Sequence, residues 1–322
     1  MWINSTKMLF ISTMSMSIVL SISSSSMIII WMSIEISNMS FTPIMMTKKM
    51  NNSESIMKFF MIQSMSSMIM LFALMMLMLN NNNYDYMLMM SLVMKMGGVP
   101  FHNWVIAIIK GMEYNSMMML FTIMKIPTMS MLSMINIKMN LMVIMAMMLS
   151  TMMMVNENSM KKMLALSSMF NLVMMLMLSK NINMWILFLM IYSIIMKMMM
   201  EQLKNNKIKQ MNQLMVDSKK ISKKEIWLSM MSLGGMPPLM GFINKLMVIN
   251  AMMKNKEIIM MMMLVLTSST ILYVYMKYTF SCMMFQLSMN KTNMKMFFVK
   301  KYSYIPINMI MTPMFLSMKT FI

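Results

Sequence analysis

Glu35, Lys95, Lys125, Lys197 and Lys245 are charged side chains set within long apolar runs of this 322-residue chain. At the centre of a bilayer an ionised side chain costs at least about 2.5–3.5 kcal/mol, so it must face a protein interior or a hydrated path. Glu35 is near the middle of the run 27–46, Lys95 near the middle of 86–109 and Lys125 near the middle of 116–135. A carboxylate and several amines at that depth can pair, exchange partners and hand protons on; the alternative is structural, with the charges only locking helices together. Lys197 lies near the end of its run, where its stem can carry the ammonium to the interface. Other chemistries lack their residues. Cys282 and His102 are the single cysteine and histidine, which removes intramolecular disulfides, Cys-rich or His-based metal sites and most triads. For His102 two readings stand side by side: a member of a proton path, or a packed ring with one hydrogen bond.

Residues that break helices gather at the same places. Five of the six glycines form two clusters, Gly97–Gly98 and Gly234–Gly235–Gly241, accompanied by Pro100 and by Pro237–Pro238. Proline cannot donate to the carbonyl four residues earlier. Pro100 is thus expected to free the carbonyl of Met96, Pro127 that of Ile123, and Pro237 and Pro238 those of Leu233 and Gly234. At membrane depth such carbonyls must line a cavity or meet a cation or water. Pro238, Gly241 and Lys245 fall on one helical face, at spacings of three and four. Gly-Gly-x-Pro alone signals close packing and a kink. Two interrupted helices in corresponding parts of two halves, each with a lysine, form the pattern of inverted-repeat ion transporters.

The elements that hold these residues follow from composition. Hydrophobic residues make up 59% of the chain and charged ones 11%, with a mean hydropathy of +0.66. A soluble domain carries about 25% charged residues, so an ordinary soluble globule is ruled out. Apolar runs of about 17 to 28 residues, the length needed to cross about 30 Å of hydrocarbon, recur from end to end. They lie at 8–22, 27–46, 57–79, 86–109, 116–135, 139–155, 162–179, 183–200, 226–253, 258–280 and 302–320, the last interrupted by Pro306 and Pro313. In lipid only helices or closed barrels satisfy the backbone, and these runs are too long and continuous for barrel strands. The expected fold is all-α, a polytopic transmembrane bundle of about eleven spans. It forms one integral membrane domain over 1–322, with a first-half repeat near 27–179, a second near 183–320 and a polar loop at 201–225.

The net charge of +19 tests that map. Alternating the spans puts nineteen lysines on one side, among them Lys7, Lys58, Lys110, Lys161, Lys162 and seven within 204–224. The other side holds five: Lys138, Lys180, Lys254, Lys256 and Lys319. The positive-inside rule places the lysine-rich side, with the N-terminus, in the compartment of synthesis. All basic residues are Lys, so there is no bidentate guanidinium for phosphate or guanine, and nucleic acid is not an expected partner. Lys7 leads into a long apolar stretch rather than a short one, so no cleavable leader is expected. Methionine accounts for 74 residues while Gly and Pro number only 6 and 7. A very AT-rich animal mitochondrial gene, read with AUA as Met, produces that profile.

Several motifs together resemble a known family. Ser33-Ile-Glu35-Ile-Ser-Asn-Met-Ser-Phe41-Thr-Pro43, Lys58-Phe-Phe-Met-Ile-Gln63 and Lys95-Met-Gly-Gly-Val-Pro100-Phe-His102-Asn-Trp104 are similar, in order, to motifs of the subunit 2 family of mitochondrial NADH:ubiquinone oxidoreductase, complex I. Lys125-Ile-Pro127 falls where that family has Gln-Lys-Ile-Ala-Pro, and Ser232-Leu-Gly-Gly-Met-Pro-Pro-Leu-Met-Gly-Phe242-Ile-Asn-Lys245 resembles its second broken helix. The likeness runs from about residue 31 to 246, and the last 75 residues match only in hydropathy. Three departures stand out: Met124 replaces a Gln, Pro127 comes one position early, and Asn244 replaces a Pro.

The resemblance implies an antiporter-like, proton-translocating subunit of the membrane arm, multi-pass in the mitochondrial inner membrane with its N-terminus on the matrix side. It implies that Glu35 and Lys95 form a charged pair, that Lys125 relays and that Lys245 hands protons on in the second half. Gln63, Ser64 and Asn38 would hold water. It also implies a hetero-oligomer with other membrane-arm subunits and lipid, and no cofactor on this chain: NADH, FMN, iron–sulfur clusters and ubiquinone bind other subunits. A stand-alone cation/proton antiporter and a structural scaffold are the alternatives.

Overall fold

The computed structural model describes residues 5–46, 50–79, 84–135, 140–211, 213 and 223–289. The expected last span, 302–320, and Lys138 and Lys319 lie outside the described residues. Among the described residues the chain is helical, with no strand. Its helices are α1 (Ser5–Ser23), α2 (Met27–Met45), α3 (Met50–Met78), α4 (Asp85–Met96), α5 (Asn103–Ile109), α6 (Tyr114–Phe121) and α7 (Lys125–Ser133). These are followed by α8 (Asn140–Asn156), α9 (Met160–Leu178), α10 (Ile182–Asn206), α11 (Lys223–Gly234), α12 (Met240–Lys254) and α13 (Ile258–Met289).

The faces of these helices show which solvent they were built for. On α2 the buried side carries Ser33, Ser37, Asn38 and Ser40 beside Ile30, Ile34 and Phe41. Its exposed side carries Ile28, Ile29, Met32, Ile36 and Met39. Polar groups turned inward and apolar ones outward is the arrangement lipid favours, because hydrocarbon cannot hydrogen-bond to an outward hydroxyl. The inward serines donate to the carbonyls of their own preceding turn, Ser33 to Ile30 at 2.6 Å and Ser37 to Ile34 at 2.7 Å.

Among the described residues six helices are long and apolar enough to cross a membrane: Ser5–Ser23, Met27–Met45, Asn52–Met78, Met160–Leu178, Ile182–Asn206 and Ile258–Ser281; Asn140–Asn156 is a shorter apolar helix. The expected runs 86–109, 116–135 and 226–253 are each divided into two short helices. Helix length therefore does not give a count of eleven, because three runs that read as continuous are interrupted at glycine or at a widened turn. The polar loop also starts later than expected. Glu201, Gln202 and Lys204 extend α10 to Asn206, since straight-chain polar residues lose little freedom in a helix.

Two compact units emerge, Met1–Leu149 with Ser168–Ile186, and Ser150–Ser167 with Leu187–Ile322. In the first, α3 packs on α2, α4 and α5, while α7 lies against α1, α2 and α4. In the second, α11, α12 and α13 pack on one another. A loop clasp also belongs to the second unit. Met160 N donates to Lys209 O and Met211 N to Asn158 O, both at 3.2 Å, and the Tyr278 hydroxyl reaches the carbonyl of Glu157 at 3.2 Å.

Candidate functional site

In the first unit the site begins where α4 stops. Gly97 has φ of +70°, a left-handed value open to glycine. Gly97 N donates to Met94 O at 3.1 Å and Gly98 N to Val93 O at 2.9 Å, the paired bonds of a Schellman cap. A Cβ at Gly97 would run into Val105 and Trp104, so the cap is also a close approach. Glycine, not Pro100, therefore ends the helix. Pro100 was expected to release the carbonyl of Met96; the carbonyls found with side-chain donors are the two before it. Gln63 Nε2 donates to Lys95 O at 3.0 Å and Trp104 Nε1 to Met94 O at 3.1 Å.

At this helix end Lys95 Nζ lies 2.6 Å from Glu35 Oε1 of α2, with side chains 1% and 23% exposed respectively. Burial on that scale makes the partnership obligatory for both charged forms, because neither is fully hydrated. Phe59 of α3 holds the surrounding helices, with its ring 5.4 Å from Phe41 of α2 and 6.1 Å from Trp104 of α5. His102 is buried, and its Nδ1 lies 3.1 Å from Pro100 O; in the Nδ1–H tautomer it donates to that carbonyl. His102 Nε2, Gln63 Oε1 and Asn38 Nδ2 are buried with no hydrogen-bond partner among the described residues. Ser64 is instead turned to its own helix, donating to Met61 O at 2.9 Å.

Lys125 opens α7 at a second interruption. Thr122 leaves helical geometry at φ −120° and ψ −67°, and Met119 O accepts from both Ile123 N at 2.9 Å and Met124 N at 3.1 Å. Pro127 does not leave the carbonyl of Ile123 open, because Ile126 N donates to it at 3.1 Å. Pro127 is the third residue of α7, and in a first turn the missing N–H removes no intrahelical bond. The Lys125 ammonium is buried, donates to Ser168 O of α9 at 3.2 Å and stands 5.9 Å from the Phe121 ring centroid, a cation–π distance.

The second unit repeats the glycine cap. Gly235 has φ of +71°; Gly235 N donates to Ser232 O at 3.1 Å and Met236 N to Met231 O at 3.2 Å. Lys245 of α12 turns back to donate to Gly234 O, and to Ser268 O of α13 at 3.4 Å. Of the two carbonyls that proline was expected to free here, Gly234's thus meets a cation. Gly241 lies against the backbone carbonyl of Ser232, where a Cβ has no room. Pro238 precedes α12 instead of sharing its face, so of the expected trio only Gly241 and Lys245 lie on that helix. Asn244 Oδ1 beside Lys245 is buried without a partner among the described residues. Lys197 is exposed on α10.

The acceptors on Ser168 and Ser268 escaped sequence reasoning, though a signal exists. Both belong to hydroxyl-rich turns, Ser167–Ser168 and Thr267-Ser-Ser-Thr270. Ser167 Oγ donates to Leu164 O at 3.0 Å and Ser268 Oγ to Val265 O at 3.1 Å. Such back-bonding often bends a helix, and a backbone carbonyl has two lone pairs and can accept from a second donor.

Comparison with known proteins identifies the family. The family described as NADH:quinone oxidoreductase/Mrp antiporter, TM, matches residues 24–87 and 80–272. The NADH-ubiquinone oxidoreductase chain 2 of Rhipicephalus sanguineus is 32% identical over 267 residues, 81% of this chain and 84% of that one. The protein of that name from Locusta migratoria is 32% identical over 296 residues, 87% of this chain and 86% of that one. Bos taurus has another, 28% identical over 317 residues and covering 91% of each. In fold, a chain of respiratory complex I from Thermus thermophilus is similar at a TM-score of 0.77 and 15% identity, covering 86% of this chain and 70% of that one. A chain of the Mrp complex from Dietzia is similar at 0.72 and 14% identity, covering 84% and 59%. Motif order, broken helices and relatives over most of its length agree: the chain belongs to the NADH:quinone oxidoreductase/Mrp antiporter family, with the NADH-ubiquinone oxidoreductase chain 2 proteins.

Proposed function

We propose that this chain is an antiporter-like membrane-arm subunit of respiratory complex I that couples NADH-to-ubiquinone electron transfer to proton translocation. It would work in the mitochondrial inner membrane, N-terminus towards the matrix, among other membrane-arm subunits. The redox groups would sit on those and other partners, which makes the chain part of a translocase without redox chemistry of its own. The observation that carries this reading is the buried Glu35–Lys95 ion pair, 2.6 Å long, beside a glycine-capped helix break in a chain of this family.

The chemistry is proton holding and release. Beside the Glu35 carboxylate the Lys95 ammonium is compensated; if the carboxylate is neutralised or withdrawn, a buried ammonium has only desolvation to face and gives its proton to nearby water. Lys125 and Lys245 are the next stations, their ammonium groups held by main-chain carbonyls, Ser168 O within α9 and Gly234 O at the end of α11. The matching breaks after Met96 and Gly234 support two repeats, near 27–179 and 183–320. Replacing Lys125 tests the relay. Lys125→Met is expected to leave assembly intact and to reduce proton translocation at least tenfold in reconstituted vesicles; unchanged translocation sinks the relay and favours a scaffold. A stand-alone cation/proton antiporter is the second reading, favoured by the fold likeness to the Mrp complex. Migration on a blue-native gel as one small membrane protein would select it.

A further inference from the structure

We propose that Gln63 is a positioning residue for proton transfer at Lys95: its side-chain amide fixes the Lys95 main chain so that the ammonium stays within reach of Glu35. The inference rests on the relay reading and adds to it a residue that carries no charge.

A helix that stops inside a bilayer leaves its last carbonyls without intrahelical donors, and hydrocarbon offers none. At the end of α4 the amides of Gly97 and Gly98 take the carbonyls of Met94 and Val93. The next carbonyl is that of Lys95 itself, and Gln63 Nε2 donates to it at 3.0 Å. Both residues are 5% exposed. They are 32 positions apart in sequence, so this bond ties the end of α4 to α3.

The same face of α3 also sets the other half of the pair. Phe59, one turn before Gln63, packs its ring against Phe41 of α2, the helix that carries Glu35. Through Phe59 and Gln63, α3 therefore holds the main chain of Lys95 at a set distance from the helix of its partner. A lysine stem is long and flexible, so the anchor of its Cα decides which partners the ammonium can reach. A neutral amide donates alike whether Lys95 is charged or not, so the anchor persists while the pair opens and closes. At the second break the arrangement is reversed, because there the lysine ammonium itself takes the helix-end carbonyl. Gln63 Oε1 is buried and has no partner among the described residues, which leaves an acceptor at the Lys95 helix end for a water.

The test uses the assembled complex carrying Gln63→Met, reconstituted in vesicles, with electron-transfer rate and protons moved per electron pair measured together. The expected result is wild-type mobility and amount of complex, with the proton-to-electron ratio lowered at least twofold. A cap of purely structural value would reduce assembly and leave that ratio unchanged, which would overturn the proposal. Gln63→Asn keeps the amide and draws it back by one methylene, so it covers the case in which Met at this position blocks assembly. The same fall in the ratio is expected; full coupling, or failure of both variants to assemble, assigns Gln63 to folding and overturns it. Lys95→Met run alongside separates the two readings. Normal translocation there defeats the relay itself, whereas loss with Lys95→Met and none with the Gln63 variants defeats only the Gln63 assignment.

Discussion

The breaks after α4 and after α11 share a backbone and differ in what that backbone holds. Gly97 and Gly235 adopt φ of +70° and +71°, and each helix closes with the same two amide bonds. Above Gly97 a Cβ would meet the stiff walls of Val105 and Trp104, but above Gly235 it would meet the flexible stem of Lys245. The carbonyl donors differ in the same sense: a glutamine amide and an indole at the first break, a lysine ammonium at the second. One local device thus serves as a fixed frame for a distant ion pair in one unit and as the direct seat of a cation in the other.

The largest expected effect attacks the second break where backbone meets backbone. Gly241→Val has no room against the Ser232 carbonyl, and main chain cannot step aside as a side chain can. The chain is expected not to accumulate in the complex on blue-native gels; a normal band would show that this break is held by Lys245 and not by close packing. Next comes the pair at the first break. Glu35→Gln leaves a buried ammonium uncompensated, at a cost of about 3 kcal/mol, the low end for buried pairs because Glu35 is partly exposed. Thermal denaturation should show the loss, and adding Lys95→Met should recover most of it without restoring translocation. Recovery of both would mean that the pair only locks helices.

A smaller effect compares the caps directly. Alanine at a left-handed position costs about 1 kcal/mol in strain. Gly97→Ala should cost more than that in thermal stability, since Val105 and Trp104 resist. Gly235→Ala should cost little more than the strain yet lower translocation, because the added methyl displaces Lys245 from Gly234 O. Equal stability losses and equal coupling would erase the distinction between frame and seat. Smallest of all, Lys197→Met on the exposed face of α10 should change stability by less than about 0.5 kcal/mol, with coupling untouched. A loss of coupling there would add a station outside both breaks.

Much of this was legible before any coordinates. Long apolar runs become helices wherever lipid denies the backbone another partner, and Glu35 and Lys95, too costly to leave apart, are found together. The glycine clusters marked both caps. What the sequence hid has physical causes. Proline is conspicuous in a sequence, but a left-handed glycine three residues earlier ends the helix before Pro100 can act, and nothing in the letters gives the sign of φ. Pro127 reads as a breaker and instead sits in a first turn, where it starts a helix. The acceptors on Ser168 and Ser268 were hidden because every residue has a carbonyl, and only the hydroxyl pairs at 167–168 and 268–269 mark those turns.

Those carbonyls have a consequence for inheritance. Substitution can erase any contact made by a side chain. It cannot erase Ser168 O, Gly234 O or Ser268 O, since every substitution there restores the same atom. The acceptors of Lys125 and Lys245 are therefore written in main chain, and each contact depends on one side chain; only the Glu35–Lys95 contact depends on two side chains surviving together. Selection has correspondingly few letters to defend.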